Sequence, residues 1–210
     1  LYNHLNLPTQ VSMGGGTISY IYDATGAKLR KTVSTGTTTD YAGNYVYENG
    51  SLKFFNHPEG YVDVNAGTFS YIYQYKDHLG NIRLSYKNVG TATALNLQIQ
   101  EENNYYPFGL QHKGYNNTIT GREHPYGYNG KEEQKELGLD WLDYGARNYD
   151  ASLGRWMNLD PLAELMRRHS PYNYAFNNPI YFIDPDGMAP TGGREITEAE
   201  SYQSENEEKS

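Results

Sequence analysis

Two aspartates, Asp160 and Asp184, each stand immediately before a proline and lie about two dozen residues apart. A stretch of that length lets the chain turn back and bring both carboxyls together. Two close carboxylates do not ionise together easily: one pKa is driven up and the other down, which leaves a protonated acid beside a charged base. Aspartic proteases use that arrangement to activate water and polarise a scissile carbonyl. The same residues also have structural forms. Asp160 before Pro161 has the form of a helix N-cap, and Asp184-Pro185-Asp186-Gly187 has the form of a β-turn with Pro second and Gly fourth. Taken alone, they leave both readings open.

Other chemistries have less support. Asp184, Asp186 and Gly187 open like a calcium loop and Glu195 falls at its twelfth position, but Met188 occupies the fifth, where a ligand is needed. The histidines His4, His57, His78, His112, His124 and His169 have no metal-type spacing. Without cysteine the chain has no disulfide, thiolate nucleophile or Cys-ligated metal. No cofactor and no metal are expected. Tyrosine-rich strands could stack on sugars, although alternating Tyr in a repeat is more often structural.

The elements that must position these residues are β-strands. The chain holds 22 tyrosines against 6 phenylalanines, so much of its apolar surface carries a hydroxyl that needs a partner when buried. That suits half-buried sheet faces, and 22 glycines favour strands and turns over helices. Three segments are copies of one unit: Tyr20-Ile-Tyr22-Asp23 to Arg30, Tyr45-Val-Tyr47-Glu48 to Lys53, and Tyr73-Gln-Tyr75-Lys-Asp77 to Arg83. Each reads as strand, acidic and Gly-containing turn, and returning strand, at a spacing of about 25 residues typical of stacked repeats. A degenerate fourth copy lies at Tyr149-Asp150 to Trp156. Such units bury a face only against their neighbours. Leu95, Leu97 and Ile99 alternate as a further strand. Short helices are expected near 131–137, closed by Gly138, and over 160–168, capped by Asp160.

The net charge of -8 and pI near 5.2 argue against nucleic acid as a partner. No run approaches the roughly 20 apolar residues of a membrane span. The first residues, Leu1-Tyr2-Asn3-His4, carry neither an initiator Met nor a targeting pattern, so the chain reads as a segment of something longer.

The segment Tyr144-Gly-Ala-Arg147-Asn-Tyr149-Asp150-Ala-Ser-Leu153-Gly154-Arg155-Trp156, then Asp160-Pro161, then Asn178-Pro179 through Asp184-Pro185-Asp186-Gly187-Met188, resembles the Rhs-repeat-associated core of polymorphic toxins. The three repeat copies resemble YD repeats, the units of the hollow β shell of Rhs proteins, insecticidal toxin-complex C subunits and teneurins. Tyr105-Tyr106-Pro107-Phe108-Gly109 resembles a further aromatic segment of the same family. The likeness covers most of residues 17–188.

The resemblance implies a mainly β chain of stacked hairpins forming part of a curled shell. It implies a repeat segment over 1–140 and a core over 141–188, and composition adds a disordered polar tail over 189–210. It further implies an aspartic autoprotease that cuts after its Asp-Pro-x-Gly-Leu motif, placing the cut here between Met188 and Ala189. Met188 stands in place of the usual Leu and is close to it in volume. The expected catalytic residues are Asp160 and Asp184 with Arg147 beside them, Arg155 being a second candidate, and the motif turn is Pro185, Asp186 and Gly187. The implied partners are the chain's own C-terminal extension as cargo and the remainder of a longer shell, in a secreted or cell-surface bacterial protein. Two other functions fit the residues: a non-enzymatic YD-repeat scaffold or surface-interaction module, and a carbohydrate-binding protein.

Overall fold

The computed structural model describes residues 1–114 and 120–192. Ten strands follow one another in an open antiparallel meander: β1 (Gln10–Met13), β2 (Gly16–Tyr22), β3 (Lys28–Val33), β4 (Thr38–Ala42), β5 (Tyr45–Glu48), β6 (Ser51–His57), β7 (Gly60–Asn65), β8 (Thr68–Lys76), β9 (Ile82–Asn88) and β10 (Leu97–Glu102). A second sheet holds β11 (Glu132–Gln134), β12 (Trp141–Asp143), β13 (Asn148–Asp150) and β14 (Arg155–Trp156), in that order. A last hairpin pairs β15 (Phe182–Ile183) with β16 (Thr191–Gly192). The mainly β shell-type fold expected from the repeats is the fold observed.

One turn recurs throughout. In each of 3–7, 23–27, 33–37, 77–81, 106–110 and 127–131, the first residue's N–H reaches the fifth residue's carbonyl and the fourth residue's N–H reaches the first residue's carbonyl. The fourth residue has positive φ every time: Asn6, Gly26, Gly36, Gly80, Gly109 and Gly130. This is the three-residue hairpin loop with a left-handed closing residue, which is why Gly or Asn recurs there. In two copies an aspartate tightens it: Asp23 Oδ1 accepts the amides of Thr25 and Ala27 at 2.8 and 2.9 Å, and Asp77 Oδ1 those of Leu79 and Asn81 at 3.0 and 3.0 Å. Asn3 Oδ1 does the same for Leu5 and Leu7.

The tyrosine hydroxyls find their partners inside. The innermost cluster gathers Tyr128, Leu142, Tyr144, Tyr149, Trp156, Tyr174 and Ala175. Tyr144 and Tyr174 both donate to Asn129 Oδ1, at 2.7 and 2.6 Å, while Tyr128 and Tyr149 donate to the carbonyls of Pro107 and Phe108. The turn at 106–110 thus supplies acceptors that a dry core lacks. Other tyrosines stay half out: Tyr71 and Tyr75 on β8 are exposed, as a one-sided sheet allows.

Both helical expectations are corrected. Residues 132–134 extend as β11 because they pair with β12 in the register Glu132↔Asp143, and only a single 3-10 turn (Glu136–Gly138) follows. Over 160–168, Asp160 Oδ1 does accept the Leu162 amide at 2.7 Å, as an N-cap would. The succeeding bonds, however, are three-residue turns, Leu165 to Leu162 and Met166 to Ala163. With Leu159 and Leu165 exposed, no apolar face is buried that would sustain a helix. The small sheet spans 132–156, across the point where sequence divides repeat segment from core. Of the tail, Thr191–Gly192 pair with β15, and 193–210 lie outside the described residues.

Candidate active site

Arg147 sits in the tight connection between β12 and β13, where Tyr144 N–H meets the Arg147 carbonyl at 3.1 Å. Its side chain points inward and is 1% exposed. The guanidinium carbon lies 4.2 Å from the centre of the Trp156 ring, a cation–π stack that fixes the plane of the group. From that plane Nη1 reaches Asp160 Oδ2 at 3.0 Å and Nη2 reaches Asp184 Oδ2 at 3.2 Å. Nε donates to the carbonyl of Gly187. One buried arginine therefore holds both aspartates and the segment that ends at Met188.

The three residues expected to act together are together, and the relation between the carboxylates is specific. They meet on one guanidinium, each on a different nitrogen, which is the fork geometry that distinguishes Arg from Lys. Both carboxylates are nearly inaccessible, with side chains 6% and 0% exposed. Burial pushes the Asp184 pKa up from the ordinary carboxylate range, while the Arg147 charge and the Gly187 amide pull against it. Burial likewise lowers Arg147, opposed by Asp160 and Asp184.

The motif turn is held at every residue. Asp184 Oδ1 accepts the amides of Gly187 and Met188 at 2.8 and 3.0 Å, and Asp186 Oδ1 also accepts from Met188 at 3.0 Å. Ala146 N–H binds the Asp186 carbonyl at 3.0 Å, and Lys131 Nζ the Pro185 carbonyl. Gly187 has φ +81, and a Cβ there would lie 3.0 Å from Arg147 N and 3.2 Å from Tyr144 Cβ. The Met188–Ala189 bond lies in the loop that joins β15 to β16, where Ile183 pairs with Thr191.

Arg155 is elsewhere: exposed, it donates to Asn177 Oδ1 at 2.7 Å. Trp156 and Lys131 escaped the sequence reading as site residues. For Trp156 the signal was its place on β14, the strand that pairs with the one Arg147 leads into. For Lys131 there was none, because its partner lies more than fifty positions away.

No family model matches the chain. Toxin subunit YenC1 of Yersinia entomophaga is 33% identical over 114 residues, 52% of this chain and 11% of that protein. Salivary gland surface protein 1 of Aedes aegypti is 30% identical over 159 residues, 61% of this chain and 4% of that one. A chain in the Tc holotoxin pore of Photorhabdus luminescens, determined with a substituted TccC3, has the same fold: the TM-score is 0.69 at 21% identity, over 91% of this chain and 10% of that chain. The chain is similar in sequence to a toxin-complex subunit and shares the fold of a Tc toxin chain, consistent with the YD-repeat resemblance of its sequence. It spans only 11% and 4% of the length of those two relatives. Among its described residues no helix is long and apolar enough to cross a membrane.

Proposed function

We propose that this YD-repeat chain is the closing core of a toxin-type shell and that it cuts itself between Met188 and Ala189, freeing whatever follows. The observation that carries the reading is the placement of Arg147: it grips Asp160, Asp184 and the Gly187 carbonyl, one residue before the bond to be cut.

The raised pKa of Asp184 suits the carboxyl that holds a proton, and Asp160 is then the base. Asp160 takes a proton from water as its oxygen attacks the Met188 carbonyl carbon, while Asp184 donates a proton to the carbonyl oxygen. Collapse breaks the C–N bond: the proton taken up by Asp160 passes to the Ala189 nitrogen as it leaves, a diol hydroxyl returns a proton to Asp184, and a carboxylic acid is left on Met188. Arg147 holds the segment in place and keeps the carboxylates from repelling one another. The cargo is the chain's own C-terminal extension, the partner is the rest of a longer shell, and the protein is secreted or displayed by a bacterium. The similarity to toxin subunits such as YenC1 supports this setting.

A second reading has an observation of its own. All four carboxylate oxygens of the two aspartates are occupied by turn amides or by Arg147, as in a purely structural turn. On that reading the chain is a non-enzymatic scaffold and stays whole. Sequencing the N-termini of the purified parent, Asp160→Asn and Asp184→Asn chains separates the two. Self-cleavage gives a terminus at Ala189 in the parent and in neither variant. A scaffold gives none in any of the three.

A further inference from the structure

Lys131 and Glu132 are neighbours at the start of β11 and reach in opposite directions, as successive residues of an extended chain do. Lys131 Nζ donates to the Pro185 carbonyl in the motif turn and stands 5.1 Å from the centre of the Tyr144 ring. Glu132 turns into the interior toward the repeat sheet. Its Oε2 meets Lys28 at 2.7 Å, and its Oε1 meets Lys31 at 3.0 Å and the Tyr41 hydroxyl at 2.6 Å.

We propose that Lys131 and Glu132 form a strap through which the repeat sheet positions the cleavage turn. This rests on the self-cleavage reading above. Lys131 is a positioning residue that holds Pro185, and Glu132 makes that hold depend on β3 and β4 being in place.

The argument lies in how the strap is built. Glu132 and Asp143 are direct cross-strand partners in β11 and β12, an arrangement in which two like charges repel. Lys28 of β3 lies between them, 2.7 Å from Glu132 and 2.6 Å from Asp143, and turns the repulsion into attraction. Burial alone would raise the Glu132 pKa, but Lys28 and Lys31 more than offset it and hold it at about 2, so the group stays charged. Without β3 the two acids face each other uncompensated, the β11–β12 pair loosens, and Lys131 leaves with it. The other two carbonyl holds in the motif turn, Ala146 N–H on Asp186 and Arg147 Nε on Gly187, come from the β12–β13 connection. Lys131 is thus the hold carried by the strand whose next residue is bound to β3 and β4, and the cut waits until they are assembled.

The test uses the full chain with Lys131→Met, Lys131→Arg and Lys28→Met. It reads the rate at which the Ala189 terminus appears and hydrogen exchange at the Gly187 and Met188 amides, which Asp184 protects. Loss of a charged hydrogen bond predicts that Lys131→Met slows cutting and speeds exchange by about tenfold or more. Lys131→Arg restores both. Lys28→Met acts in the same direction although it touches nothing in the motif turn. Parent-like cutting and parent-like exchange in Lys131→Met overturn the proposal. If the parent itself is never cut, the self-cleavage reading fails, and exchange alone decides the strap: unchanged protection in Lys131→Met and Lys28→Met sinks it.

Discussion

Asp184 and Asp77 each tie two amides of the following turn to Oδ1, and they part ways at the second oxygen. In each, Oδ1 accepts two amides of the turn that follows: Leu79 and Asn81 at 3.0 and 3.0 Å for Asp77, Gly187 and Met188 at 2.8 and 3.0 Å for Asp184. The second oxygen of Asp77 takes the Asn81 side chain at 2.9 Å, whereas that of Asp184 takes Arg147 at 3.2 Å. The second oxygen, which in the repeat turn stays within its own turn, is at the site turned onto a buried arginine.

If the aspartate is what ties the ordinary turn, Asp77→Ala removes its bonds to Leu79 and Asn81. The expected loss is about 1–2 kcal/mol of unfolding free energy, measured by urea denaturation. An unchanged midpoint would mean that Gly80 alone sets the turn.

Gly187→Ala forces a side chain into a left-handed residue, with its Cβ 3.0 Å from Arg147 N. The strain is about 1–2 kcal/mol, and it falls on the segment that carries the cut. Cutting slows by about tenfold. A variant that is cut at the parent rate would show that the turn does not present the bond.

His124 is buried against Tyr61, with ring centroids 3.8 Å apart. Burial, helped by Lys76 and Arg122, pulls its pKa from 6.5 to about 3. The unfolded chain therefore binds a proton below about pH 6.5 that the folded chain refuses until about pH 3. Stability is full above that window and falls by about 1.4 kcal/mol per pH unit within it. Denaturation curves between pH 7 and pH 5 show this slope in the parent, and His124→Phe flattens it. A variant with the parent's slope would assign the acid sensitivity to another group.

The sequence made the turns legible where Asp and Gly stand together, at Asp23 and Gly26 or Asp77 and Gly80. The same turn at Asn3 to Leu7 was hidden because Asn takes both roles, and those at 106–110 and 127–131 because they lack the acid. Residues 131–137 read as a charged helix, since local pattern says nothing of Lys28 and Lys31, about a hundred positions upstream, which draw Glu132 inward. The triad of Arg147, Asp160 and Asp184 was legible only through a family's motif order. That the arginine stands between the two aspartates, on Trp156, was not, because spacing does not encode which nitrogen meets which oxygen.

The most direct test is intact mass of the freshly purified chain at neutral pH, with N-terminal sequencing of every fragment. The account predicts a chain ending at Met188 and a fragment beginning at Ala189. A whole chain would contradict it, and so would fragments beginning only at Pro161 or Pro185, since those mark acid-labile Asp-Pro bonds that break without any active site.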